Sequence, residues 1–294
     1  MSQHVIFYFS GTGNSLKAAL TIARKLEAES KEYVKKNPDG SDAVTDIDRA
    51  VRIVCMGPDE PFIFDGSCET IGFVFPCHFG GVPQRVLEYL QTLDLTLQKN
   101  AYIYAVVTYG AAMGSRTLGQ LNDALSKKGH PLAYGAAVKA FSTYVILYKM
   151  STELSEKTML LKDELEPVVA DILARRTIAI KQPDLIGKIY RKVASGSDVK
   201  NNDRGFVVND NCTHCGQCVD VCPVNDISLE GEPLRPHWHH HCTQCLSCLH
   251  LCPNQAIDFG SKTQGRGRYK HPEITVKMLM AYNHNNPETL EQRY

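Results

Sequence analysis

Along the first half of the chain, short apolar runs rich in β-branched and aromatic residues alternate with longer segments whose apolar residues recur every three or four positions. Val5–Phe9, Val51–Met56, Ile71–Phe75, Tyr102–Thr108 and Ala133–Ala140 read as strands. Leu16–Leu26, Val86–Leu93 and Leu118–Lys128 read as the helices between them. Strands separated by helices of this length predict an α/β fold, a doubly wound five-stranded parallel sheet. Glu29–Ala50 is polar, includes Asn37-Pro38-Asp39-Gly40, and is expected to be an exposed loop. Further on, Leu154, Leu161, Leu165, Val168 and Ile172 form one stripe of a helix over Glu153–Thr177, and Asp184–Ala194 fits a second, more basic helix. Ser195–Arg204 has linker composition. The expected organisation is therefore a domain over 1–152, a helical connector over 153–203, a small α+β domain over 204–260 and a tail over 261–294.

The small domain carries an internal repeat. Cys212, Cys215, Cys218, Cys222 and Pro223 recur as Cys242, Cys245, Cys248, Cys252 and Pro253, each 30 residues on, and Ile227 recurs as Ile257. Each half reads C-x2-C-x2-C-x3-C-P, the run that builds cubane [4Fe–4S] clusters, in which the fourth Cys serves the other cluster. On that rule Cys212, Cys215, Cys218 and Cys252 hold one cluster, and Cys242, Cys245, Cys248 and Cys222 hold the second. Paired zinc knuckles would leave the third closely spaced Cys, the C-P ending and the duplication without a purpose. The chain has 11 cysteines, no visible signal peptide and no apolar run long enough to span a bilayer, so ligation in a reducing cytoplasm is expected rather than disulfides. His237-Trp238-His239-His240-His241, just before Cys242, could offer a metal ligand, but with eight Cys already allocated it reads as a solvated connector.

Between the first strand and helix stands Ser10-Gly11-Thr12-Gly13-Asn14-Ser15, a turn suited to a phosphate. It lacks the Lys-Ser/Thr of a P-loop, and Leu16 replaces the third glycine of a dinucleotide fingerprint. Hydroxyls of Ser10, Thr12 and Ser15, the Asn14 amide and the helix amino terminus, with no cation, suit the terminal phosphate of FMN. Two later loops follow the carboxyl ends of strands, where open α/β sheets bind ligands. One is Pro76-Cys77-His78-Phe79-Gly80-Gly81, the other Thr108-Tyr109-Gly110 through Gly114. Phe79, His78 and Tyr109 offer faces for a flat ring.

With these residues assembled, positions 1–150 resemble a flavodoxin, 204–260 resemble bacterial two-cluster ferredoxins, and the whole chain resembles the flavodoxin–ferredoxin fusions of anaerobic bacteria and archaea. The segment Gly267-Arg-Tyr-Lys-His-Pro-Glu-Ile-Thr275 is similar to the end of that family. The resemblance implies FMN phosphate at Ser10–Ser15 and isoalloxazine at the two later loops. Flavodoxins often stack an indole on the flavin, but the single Trp here is Trp238, in the ferredoxin-like part. Stacking then falls to Tyr109, Phe79 or His78, while Cys77, Cys55 and Cys68 read as small buried thiols.

Formal charge is zero, with 32 basic and 32 acidic residues, so no global pull towards nucleic acid exists. The zero hides an acidic stretch, with two Arg against six Asp/Glu over 204–260, and a basic tail, with six basic against three acidic residues over 261–294. Asp220, Asp226, Glu230 and Glu232 are expected to keep cluster potentials low and to shape docking to redox partner proteins. The expected function is electron relay between FMN and two [4Fe–4S] clusters. The alternative is an FMN-dependent reductase with its own small-molecule substrate, although no Ser-His-Asp, HExxH or paired-carboxylate arrangement asks for one.

Overall fold

The computed structural model describes residues 3–35, 51–58, 60–110, 114–150, 154–181 and 203–285. Strand β1 (His4–Tyr8) pairs with β2 (Val51–Cys55) on one side and β3 (Thr70–Pro76) on the other. Beyond β3 lie β4 (Tyr102–Tyr109) and β5 (Tyr134–Lys139), every pairing parallel, in the order β2-β1-β3-β4-β5. This is the flavodoxin-like order, whose switch point lies between β1 and β3. Alternation along the strands divides the apolar residues between two faces. Ile6, Tyr8, Val74 and Tyr104 face one layer with Leu16 and Leu165, while Phe7, Phe9, Phe73 and Phe75 face the other with Val86 and Leu121.

Helices α1 (Asn14–Lys35), α2 (Gln84–Thr92), α3 (Gly114–Ser126) and α4 (Leu154–Leu173) complete the layers. The stripe residues Leu161, Leu165, Val168 and Ile172 are buried as their spacing predicts. Helix α1 runs further than expected, and residues 29–35 are helical rather than loop. Glu29 to Lys35 contains neither Gly nor Pro, so propensity carries the helix on towards Asn37-Pro38. The expected helix Asp184–Ala194 and most of the linker lie outside the described residues. The linker's last two residues are described, and Asp203 is buried, its carboxylate accepting from the His240 backbone N–H at 2.9 Å.

The duplication is visible in the backbone. Strands β6 (Phe206–Val208) and β9 (Ile257–Phe259) pair antiparallel, as do β7 (Ile227–Glu230) and β8 (Arg235–Trp238), around short helices α5 (Gln217–Asp220) and α6 (Ser247–Leu251). Left-handed residues recur at the repeat offset: His214 with Gln244, Gly216 with Leu246, Asn225 with Gln255. So do N–H donations to sulfur, Asp226 to Cys222 at 3.3 Å and Ala256 to Cys252 at 3.2 Å.

The small region is not a separate bead. Val221 and Leu251, repeat-related, are buried in the same apolar layer as Ile6 and Tyr8. Much of the segment read as a tail is built in too. Helix α7 (Val276–Asn283) lies along β2, and fully buried Asn283 accepts from Tyr8 Oη at 3.1 Å while donating to Val221 O at 3.2 Å. Arg268 forms a buried pair with Asp258 at 2.7 Å, so part of the basic tail clamps the fold internally. No described helix is long and apolar enough to cross a membrane.

Candidate cofactor sites

The turn from β1 into α1 is buried throughout Ser10–Ser15. Ser10 Oγ accepts from Gly13 N at 3.1 Å, and Ser15 Oγ shares a hydrogen bond with Thr108 Oγ1 at 2.8 Å. Asn14 differs from expectation, because its amide is committed to the protein: Nδ2 donates to Phe141 O at 3.1 Å and Oδ1 accepts from Tyr269 Oη at 2.6 Å. The donors left for an anion are the Ser10 and Thr12 hydroxyls and the first-turn amides of α1, which have no intrahelical partners. A further donor comes from a residue that strand and helix patterns do not reveal. His271, on the strap leading to α7, donates its backbone N–H to Thr12 O at 3.3 Å and lies against Gly13. Its Nδ1 accepts from Glu273 N at 3.1 Å, which leaves the proton on Nε2. That Nε2 is buried with no hydrogen-bond partner among the described residues. Burial lowers the His271 pKa to about 4, so the ring is a neutral donor.

The loop after β3 closes as a two-residue turn, His78 and Gly81 exchanging backbone hydrogen bonds at 3.0 and 2.9 Å. Phe79 and Gly80 occupy left-handed conformations, as a type I′ turn requires, and the exposed Phe79 ring stands edge-on to Tyr144 with centroids 5.1 Å apart. Cys77 Sγ accepts from Thr117 Oγ1 at 3.1 Å, and burial raises the pKa of this thiol. After β4, Tyr109 lies on Gly114, and Gly110 on Ser142. These glycines, with Gly81 against Gln120, are needed for protein packing, which the expectation of a close ring approach did not include. Residues 111–113 lie outside the described ones.

The cysteines line two cavities. One is lined by Cys212, Cys215, Cys218 and Cys252 together with Leu229 and Pro236. The other is lined by Cys222, Cys242, Cys245 and Cys248 with Ile227, Trp238 and Asp226. Each brings three cysteines of one repeat to the fourth of the other. Burial raises the pKa of Cys218 to about 11 and of Cys222 to about 12. Cys248 is pushed up by burial and by Cys242, Cys245, Cys222 and Cys218 around it, as expected of a crowded thiol set. The second cavity abuts the Ser10–Ser15 turn. A Cβ built on Gly11 would stand 2.5 Å from Cys245 O, and one on Gly57 would stand 1.7 Å from Pro223 O. Tyr144, beside Phe79, donates to Gln244 Oε1 at 2.6 Å, between two residues of the Cys242 loop.

Residues 206–228 and 242–256 each match a family of 4Fe–4S binding domains. With the sheet order, that match decides the architecture. The chain is a flavodoxin-like sheet joined to a ferredoxin-like 4Fe–4S module. Among solved structures, a protein of Bacteroides uniformis described as a flavoprotein is similar at 17% identity and TM-score 0.31, over 48% of this chain and 92% of that one. Rubredoxin oxygen:oxidoreductase from the anaerobe Desulfovibrio gigas is similar at 16% identity and TM-score 0.32, over 58% of this chain and 36% of that one. None of the curated proteins compared with the chain matches it.

Within the 4Fe–4S module, one acidic residue departs from the expected docking role. Asp226 is buried, lining the second cavity, where its Oδ1 accepts from His241 N at 2.6 Å and Oδ2 has no partner among the described residues. Trp238 stacks on Phe206 at 5.1 Å, and its buried Nε1, also without a partner among the described residues, belongs to a side chain lining that cavity. An unpartnered indole N–H in a thiol-lined cavity suits inorganic sulfide, a hydrogen-bond acceptor. At the flavodoxin-like turn, the unpartnered His271 Nε2 suits a phosphate in the same way. In the sequence Trp238 stood out only as the single Trp, inside the His-rich run, and His271 only as a member of Gly267–Thr275. Tyr144 carried no signal at all.

Proposed function

We propose that the chain binds FMN and two [4Fe–4S] clusters and relays electrons between them. In this reading Ser10–Ser15 hold the flavin phosphate with His271, and Pro76–Gly81 with Thr108, Tyr109, Gly110 and Gly114 flank the ring. Cys212, Cys215, Cys218 and Cys252 ligate an outer cluster, and Cys242, Cys245, Cys248 and Cys222 an inner one. Bound FMN supplies one- or two-electron chemistry and each cubane one-electron chemistry. The protein's part is placement. One observation carries the proposal: Cys245 lies directly on Gly11 of the phosphate turn. The packing of Tyr144 between Phe79 and the Cys242 loop supports a short path from the ring loop to the inner thiols. Cys215, exposed on the outer cavity, is the natural exit towards a partner protein. Eight ligand thiols fit a reducing cytoplasm.

Anaerobic purification followed by iron, acid-labile sulfide and flavin analysis tests the cofactors. About eight irons and about one FMN per chain are expected from the ligand count. Zinc without labile sulfide would overturn the proposal. Electron exchange with ferredoxin-linked oxidoreductases is expected, with only nonspecific turnover of small oxidants; saturable reduction of one metabolite would favour the reductase reading instead.

A further inference from the structure

The β7–β8 hairpin has two faces of different chemistry. Its register sets Ile227 opposite Trp238, Ser228 opposite His237 and Leu229 opposite Pro236. Leu229 and Pro236 line the outer cysteine cavity, and Ile227 and Trp238 line the inner one, so one face of the hairpin covers both. Alternation places Ser228, Glu230, His237 and His239 on the opposite, solvent side. There the carboxylate and two imidazoles converge. His237 Nδ1 and His239 Nε2 each lie 3.7 Å from a Glu230 oxygen, and one ligand atom from each residue falls within 4.8 Å of the others.

We propose that Glu230, His237 and His239 form a surface site for one borderline divalent transition ion of the zinc class, which clasps the hairpin over the two cysteine cavities. Two imidazoles and one carboxylate are a donor set that zinc accepts, with water completing the sphere. Ligands about 2.0–2.2 Å from a tetrahedral zinc stand ~3.3–3.6 Å apart, so a modest closure of the trio would complete the geometry. Ser228 Oγ donates to Glu230 Oε1 at 2.6 Å and so accepts from His239 Nε2 at 2.9 Å, the nitrogen whose proton a bound ion would replace. The ligands come from both strands, Glu230 from β7, His237 from β8 and His239 just beyond it, so the ion would cross-link them. His240 and His241 are not part of the set: His240 binds Asp203, and the backbone of His241 is held by Asp226.

The site itself is independent of the proposed clusters, whereas its clasping effect rests on them. Anaerobically isolated protein is dialysed against low-micromolar Zn²⁺ and analysed for zinc, iron and sulfide, beside a His237→Gln/His239→Gln double variant. About one zinc per wild-type chain at constant iron, and at least a tenfold loss of affinity in the variant, is expected. No uptake by wild type, or equal uptake by both proteins, would overturn the site. Absorbance bleaching in air is then followed with and without zinc. A several-fold slower loss in wild type alone is expected, and identical rates would overturn the clasp. Iron and sulfide absent from the isolated protein would instead refute the cluster assignment, leaving zinc uptake still decisive for the site.

Discussion

At the outer cavity Cys215 is exposed, Cys212 and Cys252 are half-buried, and the cavity wall is formed by the repeat, the hairpin and Gly216. At the inner cavity Cys222, Cys242 and Cys248 are buried, and Cys245 is pressed onto Gly11 of the Ser10–Ser15 turn. Both were built by one duplicated unit with the same left-handed bends and the same N–H to sulfur bonds. What separates them is the neighbouring sheet. Asp226 where the other repeat has Ala256, and Leu246 where it has Gly216, follow that burial. Identical thiol sets thus acquire direction, one cavity turned to the sheet and one to solvent.

The sharpest way to break this contrast is to remove one thiol from each cavity. Cys245→Ser and Cys215→Ser should each cost about four irons per chain. Cys245→Ser should also lower flavin retention after desalting, whereas Cys215→Ser should leave it unchanged. Equal flavin loss in both would dissolve the inner–outer distinction. Next comes the contact itself. Gly11→Ala drives a methyl into the Cys245 backbone and should destabilise by about 1–3 kcal/mol in denaturant unfolding. Gly216→Ala, left-handed but with nothing closer than 3.9 Å, should cost about 1 kcal/mol.

The strap that seals the inner side supplies a similar test. Tyr269→Phe leaves buried Asn14 Oδ1 without its donor and should cost about 1–3 kcal/mol, read as a lower unfolding midpoint. The gentlest effect is a pH slope. The folded pKa of His271, about 4, lies below the usual ~6.5, so the unfolded chain takes up a proton that the folded protein refuses. Protonation at Nδ1 would also break its bond from Glu273 N. Its contribution is therefore complete above about pH 6.5 and declines as pH falls towards about 4. Flavin-free protein should show a shallower decline in His271→Gln, measured by urea midpoints between those pH values; identical slopes would exclude His271 as a source.

Strand and helix periods, the cysteine repeat and the glycine turn made the sheet, its order of elements and both thiol sets legible, because each rests on local spacing. Less legible was anything decided by contact across the chain. Asn14 looked like a phosphate donor because its neighbours in sequence are donors; its true partners, Phe141 and Tyr269, lie 127 and 255 residues away. Asp226 looked like a surface acid for the same reason, and the His-rich run concealed a strand whose residues alternate between cavity wall and solvent.

By itself, then, the sequence determined which residues can ligate and where the chain must turn, since thiol spacing, periodicity and glycine act over a few residues. Only the tertiary structure decided which cavity faces the sheet, that residues 269–274 close over the Ser10–Ser15 turn, and that His237 and His239 converge on Glu230. Those outcomes depend on burying apolar residues from distant segments in shared layers, and no local pattern specifies which surfaces will meet.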